Sequence, residues 1–596
     1  MLAALFSCLL VSALPQGGGM AAAPVGMTVV VVDVGQGDGI LLRAPDGTVH
    51  CIDAGVSGQG TLTMLPVLDG LLPTGYGFTF VSHHHSDHLG GLDEVLARPF
   101  AAAFDRGDVN RPSTSDVTNY LNAAGARRQQ ITLGGVYALG GGATLTCIAE
   151  NGNIVGGGFV NPTASSQEEN SRSIVLRLDY GQFSMWLGGD LTGGGNSTAD
   201  VESAASLACG DVDVYKLNHH GSSTSTSTNL VTRLSPELAV VSCGYQNSYG
   251  HPNATPVNRL NQALAARALL STTTGSANTI GFGVAGHIRI DTDGRRYRAT
   301  AENGDHLDFW CDEVATPALA AGDVRLSELH RDPGVVPDTN GEYVEVVNLG
   351  SQPVGLRGLQ LATNTSTITI ASNYLLVPGR PLVLQTDGAP TRNGGQPLGV
   401  PLPYATTSLG NSSDTVVLRQ NGLTLDSLNY SAGQPGGAGI ASERRDLFGA
   451  QNAGNYAAAP NQFGDGDRGS PGALNPSDTS VHPVQAAVTV ASDRFTVHGT
   501  AIGHPFHFSV LALAYGTAGF PFGGATIPLS FDSLFEASLS APDFLSLVPP
   551  GGYRSVDVAL PVPNPLAGLT LYASHIVLDW SLTVPGVSPA ISFVLP

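Results

Sequence analysis

Apolar and polar positions along this chain follow two rhythms, and the change between them falls near residue 312. Before it, short apolar runs end in loops: "TVVVVDVG" (28–35), "VHCIDAG" (49–55), "FTFVS" (78–82), "SIVLRLDYG" (173–181), "FSMWLGGD" (183–190), "DVDVYKL" (211–217) and "LAVVSCG" (238–244). Stretches near 61–72, 88–97, 114–125, 198–207 and 255–268 carry the helical period instead. Strands alternating with helices predict an α/β or layered αββα unit over 27–312. After Cys311 a period of two takes over. "VRLSELHRDP", "NGEYVEVVNLG", "LRGLQLAT", "RPLVLQTDG", "DTVVLRQNG" and "LTLDSLNYS" are short strands closed by Gly, Asn and Asp turns, and no helix is predicted among them. They predict a β-sandwich over 316–476, ending in the turn-rich "FGDGDRGSPGALNPS" (463–477). Residues 483–596 read as a C-terminal all-β domain with no charge cluster and no candidate active site.

Length agrees with this division, because 596 residues exceed what one core organises and suggest about three or four domains. The 76 glycines and 38 prolines fit many turns between short strands. The net charge is −21, which excludes a broad basic surface for grasping a polyanion. Any nucleic-acid contact would then be local and metal-assisted. The apolar run "LAALFSCLLVSAL" (2–14) reads as the core of a secretory signal, residues 1–25, cleaved somewhere in 13–25, although no basic residue precedes it. No later stretch approaches the ~18 consecutive apolar residues of a membrane span. The expectation is a secreted, periplasmic or cell-surface protein. Six cysteines occur, none in a CxxC pair, so a thiolate zinc finger is not expected. With Cys8 in the leader, five remain, enough for one or two disulfides in no pairing the sequence specifies.

The chemistry concentrates in "SHHHSDHLGG" (82–91), which holds four of the sixteen histidines. His83 and His85 are two apart, so an extended loop turns both to one side. Asp87 and His88 follow where a helix begins. This spacing lets His83 and His85 hold one metal, and Asp87 and His88 a second about 3.5–4 Å away. The loop leaves a strand end, where open α/β sheets place their sites. A dinuclear site also needs a bridging carboxylate and a further ligand. Asp190 ends the run "SMWLGGD", and "KLNHHGSS" (216–223) supplies His219 and His220.

Six motifs in this order carry a family likeness: "DVGQGDG" (33–39), "CIDAG" (51–55), "SHHHSDHLGG" (82–91), "SRSIVLRLDYG…LGGD" (171–190), "DVYKLNHHGS" (213–222) and "SCGYQNSYGHP" (242–252). The region resembles the metallo-β-lactamase superfamily, and within it the extracytoplasmic hydrolase domain of ComEC/Rec2-type competence proteins. The resemblance covers less than half the chain. It implies an αββα fold with His83 and His85 on the first metal, Asp87 and His88 on the second, Asp190 bridging, and His220 as the last ligand. His219 is a neighbour or a substitute for it. Asp53 would orient a ligand imidazole. Asp33 and Asp38 either approach the site or only cap a Gly-rich turn. His251 is a phosphate contact, a proton donor or a structural residue. Lys216, the single lysine, either meets phosphate near the metals or forms a salt bridge. Two departures stand out. The competence family often has Asp where His85 stands, and the superfamily's third histidine before the bridging aspartate is missing. "SSQEENSRS" (165–173) offers only Glu168, Glu169 or Asn170 there. An oxygen-containing ligand set admits manganese as well as zinc. The competence membrane channel is absent, so DNA import is not expected.

The implied activity is that of a hydrolase using two divalent metal ions, zinc or manganese, on phosphodiesters, DNA or RNA included. Candidate catalytic residues are Asp87, His251 and Lys216. A phosphorylcholine esterase or lactonase on the same site is the alternative within the fold, and a non-catalytic surface-binding protein is the alternative outside it. The β-sandwich resembles a second family, the lamin-tail domain, through "VRLSELHRDP…GEYVEVVNLGSQPVGLRGLQL" (324–361) and "GDRGSPGALN" (466–475). That likeness implies an immunoglobulin-like module that binds or anchors to a cell-surface or extracellular ligand, or else serves as a spacer. The last block faintly resembles C-terminal β modules of planctomycete-type exported proteins.

Overall fold

The computed structural model describes residues 26–595 except 264–267, 277–282, 313, 403–407, 481, 492–493, 505–506, 542, 549–551 and 561–563. The leader expected at 1–25 lies outside the described residues.

The first half builds two large mixed sheets. One has nine strands, ordered from His306–Trp310 through Arg296–Thr300, Ile288–Thr292, Met27–Val31, Gly39–Arg43, Thr48–Ala54, Gly75–Phe80 and Ala102–Asp105 to Arg128–Gln130. The last four run parallel to one another, and the rest pair antiparallel. The other sheet has ten strands, in which Phe183–Leu187, Val214–Lys216, Leu238–Val241 and Ala268–Ser271 are parallel neighbours. Alternation explains how they pack. Val29, Val31, Ile40 and Leu42 share one core with Leu176, Leu178, Met185 and Leu187 of the second sheet. Val30, Val32 and Leu41 point the other way, onto Leu68, Leu92, Val117 and Tyr120 of flanking helices. On the far side, Trp186 and Tyr215 meet Ala205, Leu230 and Leu260 of three more helices.

Most elements are shorter than the sequence pattern. The expected helix at 88–97 is two pieces, Ser86–Leu89 and Leu92–Val95, divided at Gly90 and Gly91. Gly91 lies where a Cβ would stand 2.4 Å from the Ala54 carbonyl oxygen, so only glycine lets this turn sit on the first sheet. The helix at 114–125 is Ser115–Ala124, capped by Thr114 Oγ1 accepting from the Val117 amide at 3.2 Å. The helix expected at 198–207 starts only at Glu202. The one expected at 255–268 is Ala254–Ala263, with its expected end outside the described residues.

All six short strands expected in 316–476 are present. They fall mainly in a six-stranded and a four-stranded sheet. The C-terminal block adds sheets of three, five and two strands. Here the expectation of no helix is corrected, because Ser533–Ser540 is an α-helix. Asp532 caps it by accepting from the Leu534 and Phe535 amides, and Phe535 packs on Phe508, Val510 and Ala512. A single helical turn, Asp338–Gly341, also interrupts the sandwich. Among the described residues, Cys51, Cys147, Cys209, Cys243 and Cys311 form no disulfide. No helix among the described residues is long and apolar enough to cross a membrane.

Candidate metal centre

The strands deliver the motif residues to one edge. Residues 82–88 follow Gly75–Phe80, Asp190 follows Phe183–Leu187, and His219 and His220 follow Val214–Lys216. Gly37 closes the floor. Its φ is +143°, and a Cβ there would fall 2.2 Å from the Asp87 carbonyl oxygen. The first loop can therefore lie directly on the histidine loop, and the Asp38 amide donates to that carbonyl at 3.1 Å.

Asp190 divides the site between its two oxygens. Oδ1 faces His88 Nε2 at 3.1 Å and His220 Nε2 at 3.4 Å. Oδ2 faces His219 Nε2 at 3.6 Å and His83 Nε2 at 3.8 Å. Asp87 Oδ2 completes the first group, 3.4 Å from His220 Nε2 and 4.0 Å from His88 Nε2. His85 completes the second, with Nδ1 3.0 Å from His83 Nε2. Asp87, His88, Asp190 and His220 thus gather ligand atoms around one point, and His83, His85 and Asp190 around another.

Partners behind the rings fix which nitrogens face inward. His88 Nδ1 donates to Asp53 Oδ2 at 2.9 Å. His220 Nδ1 donates to the Ser242 carbonyl at 3.0 Å. Each ring then presents the Nε2 lone pair to the centre. His88 Nε2, His220 Nε2 and Asp190 Oδ1 are buried without any hydrogen-bond partner. Buried polar atoms left this way are costly, and a shared cation satisfies all three. The donor set of imidazole nitrogens and carboxylate oxygens suits zinc or manganese, so the residues present fit a pair of divalent ions.

The electrostatics point the same way. Burial works against a charge on His88, but Asp190, Asp87 and Asp53 outweigh it and raise its pKa well above the usual range. His220 is buried too, yet Asp190 and Asp38 push it up to about 10. Burial and the charge of His88 lower His83, and burial lowers His219. Asp190 is fully buried, but His88, His220 and His219 hold it well below the carboxylate range. This is a field built by carboxylates for positive charge.

Other singled-out residues take clear places. Lys216 lies beneath the cluster, 1% exposed, with Nζ 2.6 Å from Asp38 Oδ2 and 3.0 Å from the Leu217 carbonyl. Lys216 thus forms the salt bridge that was one of its two expected roles, with Asp38 as its partner. Asp38 approaches the site from below, and Lys216 and His220 outweigh its burial to lower its pKa. Asp33 serves as a turn cap: its Oδ1 accepts from the Gly35 amide at 3.0 Å, and its own amide donates to His287. His251 stands at the rim, its ring centre 5.4 Å from His219 and 6.0 Å from His220. Burial, then the charges of His220 and His219, lower its pKa to about 4. Glu169 is taken by Arg106, and Glu168 by Arg172. Asn170 instead turns inward, with Nδ2 3.2 Å from His219 Nε2 and Oδ1 buried and unpartnered. His219 and Asn170 occupy the side where a third histidine was missing.

Sequence reasoning overlooked Ser82 and Glu202. The Ser82 amide and hydroxyl donate to Asp53 at 2.8 and 2.5 Å, locking the carboxylate that orients His88. Glu202 receives the Thr226 amide at 2.7 Å, the Asn218 amide group at 2.8 Å and the Ser227 amide at 2.7 Å. It clamps the loop that carries His219 and His220. Ser82 begins the motif itself, so its adjacency to His83 was an available signal. Glu202 lies 16 residues from Asn218 and gave none.

Comparisons with known proteins find two likenesses in the chain. Residues 317–432 match the Lamin Tail Domain. Competence protein ComA of Neisseria gonorrhoeae is 28% identical over 235 residues, 39% of this chain and 29% of that protein. Recombination protein 2 of Haemophilus influenzae is 28% identical over 235 residues, 39% of this chain and 26% of that protein. ComE operon protein 3 of Bacillus subtilis is 25% identical over 243 residues, 37% of this chain and 29% of that protein. The chain thus spans less than a third of each of these relatives. Among solved structures, Zn(2+)-bound PqqB from Methylobacterium extorquens is 10% identical, covering 32% of this chain and 72% of that one, with a TM-score of 0.21, which carries no argument. The chain is therefore similar to competence proteins over 37–39% of its length and to the lamin tail domain over residues 317–432.

Proposed function

We propose that this chain is an exported hydrolase of phosphodiesters, a nuclease, built on an αββα unit of the metallo-β-lactamase type over 27–312. The lamin-tail-like sandwich over 316–476 and the C-terminal β domain over 483–596 serve to bind a cell-surface or extracellular ligand. The observation that carries the catalytic reading is the division of Asp190, each oxygen facing its own set of imidazoles.

Two divalent ions, zinc or manganese, held by His83, His85 and His219 on one side and Asp87, His88 and His220 on the other, with Asp190 between, would supply Lewis acidity and acidify the attacking water. The chain's own residues do the rest. Asp53 and the Ser242 carbonyl hold His88 and His220 in the orientation that aims Nε2 inward. Asp87, partly open to solvent, is placed to take a proton from water. His251 is neutral at pH 7 and so offers the leaving oxygen a hydrogen bond from a neutral ring. The acidic balance of the chain favours a local phosphodiester contact over a long electrostatic track.

The test measures turnover of bis(p-nitrophenyl) phosphate and plasmid DNA, against phosphorylcholine and lactone substrates, with manganese and with zinc. We expect phosphodiester cleavage that His83→Ala and Asp190→Ala each reduce at least about 100-fold while leaving the circular dichroism spectrum unchanged. Unaltered turnover in both variants removes the assignment. Turnover confined to phosphorylcholine or lactones redirects it to another hydrolase on the same site.

A further inference from the structure

A second group of carboxylates lies at the opposite ends of the strands that carry the metal centre. Asp213 immediately precedes Val214–Lys216, and Glu237 immediately precedes the parallel neighbour Leu238–Val241. Asp312 follows His306–Trp310. Ligand oxygens of the three lie within 4.8 Å of one another. Asp213 is 1% exposed and Glu237 3%. Arg357, from the segment that matches the lamin-tail family, enters the group. Its Nη2 lies 2.6 Å from Glu237 Oε1 and pairs with Asp312.

One arginine does not balance three carboxylates. Glu237 Oε2 is buried and has no hydrogen-bond partner. It stands in a group whose other members are also carboxylates, where only a proton or a cation can relieve the repulsion. Asp213 is held in place as an acceptor, Oδ2 from the Ser184 amide at 2.7 Å and Oδ1 from the Asp312 amide at 3.2 Å, which fixes the group's shape and leaves each oxygen a lone pair for a ligand. With Arg357 present, the charge left over is two negative units, the complement of one divalent ion. Oxygen-only donors select a hard cation. Calcium accepts oxygen ligands in flexible geometry, whereas magnesium demands a near-ideal octahedron, so carboxylates already fixed by the fold suit calcium.

We propose that Asp213, Glu237 and Asp312 form a calcium site, distinct from the hydrolytic centre, that ties the two-sheet unit to the lamin-tail-like sandwich through Arg357. The half-exposed Arg357 gives the ion its way in from solvent. The site is structural, since it lies at the far ends of the strands that carry His219 and His220.

Tyr297 makes this testable, because its hydroxyl donates to the Asp213 carbonyl at 3.4 Å and its ring can sensitise terbium luminescence. The full chain carrying Asp190→Asn, which disables the hydrolytic centre, is titrated with Tb3+ and then with Ca2+. We expect sensitised emission that calcium displaces, and an affinity at least about tenfold weaker when Glu237→Gln is added. Asp312→Asn, at a more exposed position, gives the same loss should Glu237→Gln fail to fold. Calcium should also raise the melting midpoint of the Asp190→Asn chain but not of the chain with the second substitution. Emission indifferent to both substitutions overturns the proposal. So does a melting midpoint that follows pH but ignores calcium, which would mean that Glu237 and Asp312 share a proton instead.

Discussion

At the scale of single residues, the centre depends on groups that touch the ligands as much as on the ligands. Asp53 is the plainest case. It sits in a left-handed backbone conformation, φ 55°, fully buried, and accepts from the Ser82 amide, the Ser82 hydroxyl and His88 Nδ1. That conformation costs a non-glycine residue of order 1 kcal/mol or more, and it persists because three hydrogen bonds hold it. Asp53→Asn keeps the size but halves the acceptors facing His88 and Ser82. We expect metal affinity, read by chelator competition, to fall about 10–100-fold with little change in fold. The candidate ligands of the loop could be named from the sequence because a His-x-His-x-Asp-His run stands out by spacing alone. Lys216 was legible only as a lone lysine. Whether its ammonium met phosphate or a buried aspartate depended on Asp38, 178 residues away. Asn170 was named only as one of three alternatives, because nothing local distinguishes it from the neighbouring glutamates, which two arginines occupy.

Elements show the same division between local and distant causes. Strand positions followed from apolar runs, yet the strands end several residues before the motif residues, since the chain leaves the sheet to form the site. Val214–Lys216 is three residues long where "DVDVYKL" promised seven. The loop after it carries His219 and His220 in consecutive left-handed conformations, φ 51° and 52°. Such strain needs outside support. Glu202, at the start of the helix Glu202–Cys209, supplies it by accepting three hydrogen bonds from Asn218, Thr226 and Ser227, while Asn218 also accepts from Trp186 Nε1 at 2.9 Å. Removing a buried acceptor leaves its donors unsatisfied. Glu202→Ala is expected to destabilise the chain by about 3 kcal/mol in urea unfolding and to lower the bound metal content, counted by elemental analysis. Glu202→Gln, which keeps most of the acceptors, should cost about 1 kcal/mol and keep the metal content. An unchanged metal count in Glu202→Ala would show that the loop holds its shape without the clamp.

Across the whole molecule, buried acids and imidazoles set the dependence of stability on pH. Glu202 is raised to about 7 by burial, against the Ser227 and Thr226 amides and Asn218. In the lamin-tail-like sandwich, burial raises Glu328 to about 7 and Glu342 to about 8. A carboxyl whose folded pKa lies above its unfolded value stabilises the fold fully below the unfolded value of about 4.3, and that contribution disappears as pH rises through 7–8. Imidazoles lowered by burial behave oppositely. Burial lowers His498 and His575 to about 3, so their effect is complete above the unfolded value near 6.5 and is lost as pH falls below it. Between pH 6.5 and 8.5 these glutamates and the raised imidazoles of His88 and His220 lose stability together, while the lowered imidazoles are silent. Over that interval Glu202 and Glu328 each give up about 1 kcal/mol and Glu342 about 2 kcal/mol. The melting midpoint should fall by several degrees from pH 6.5 to 8.5, measured calorimetrically with metal concentration fixed. Glu342→Gln should remove about half of the glutamates' share of that slope, because the amide cannot ionise while its oxygen still accepts from the Leu409 amide, 2.9 Å from the carboxylate. A midpoint that rises over this interval would mean that the sandwich does not bury these acids.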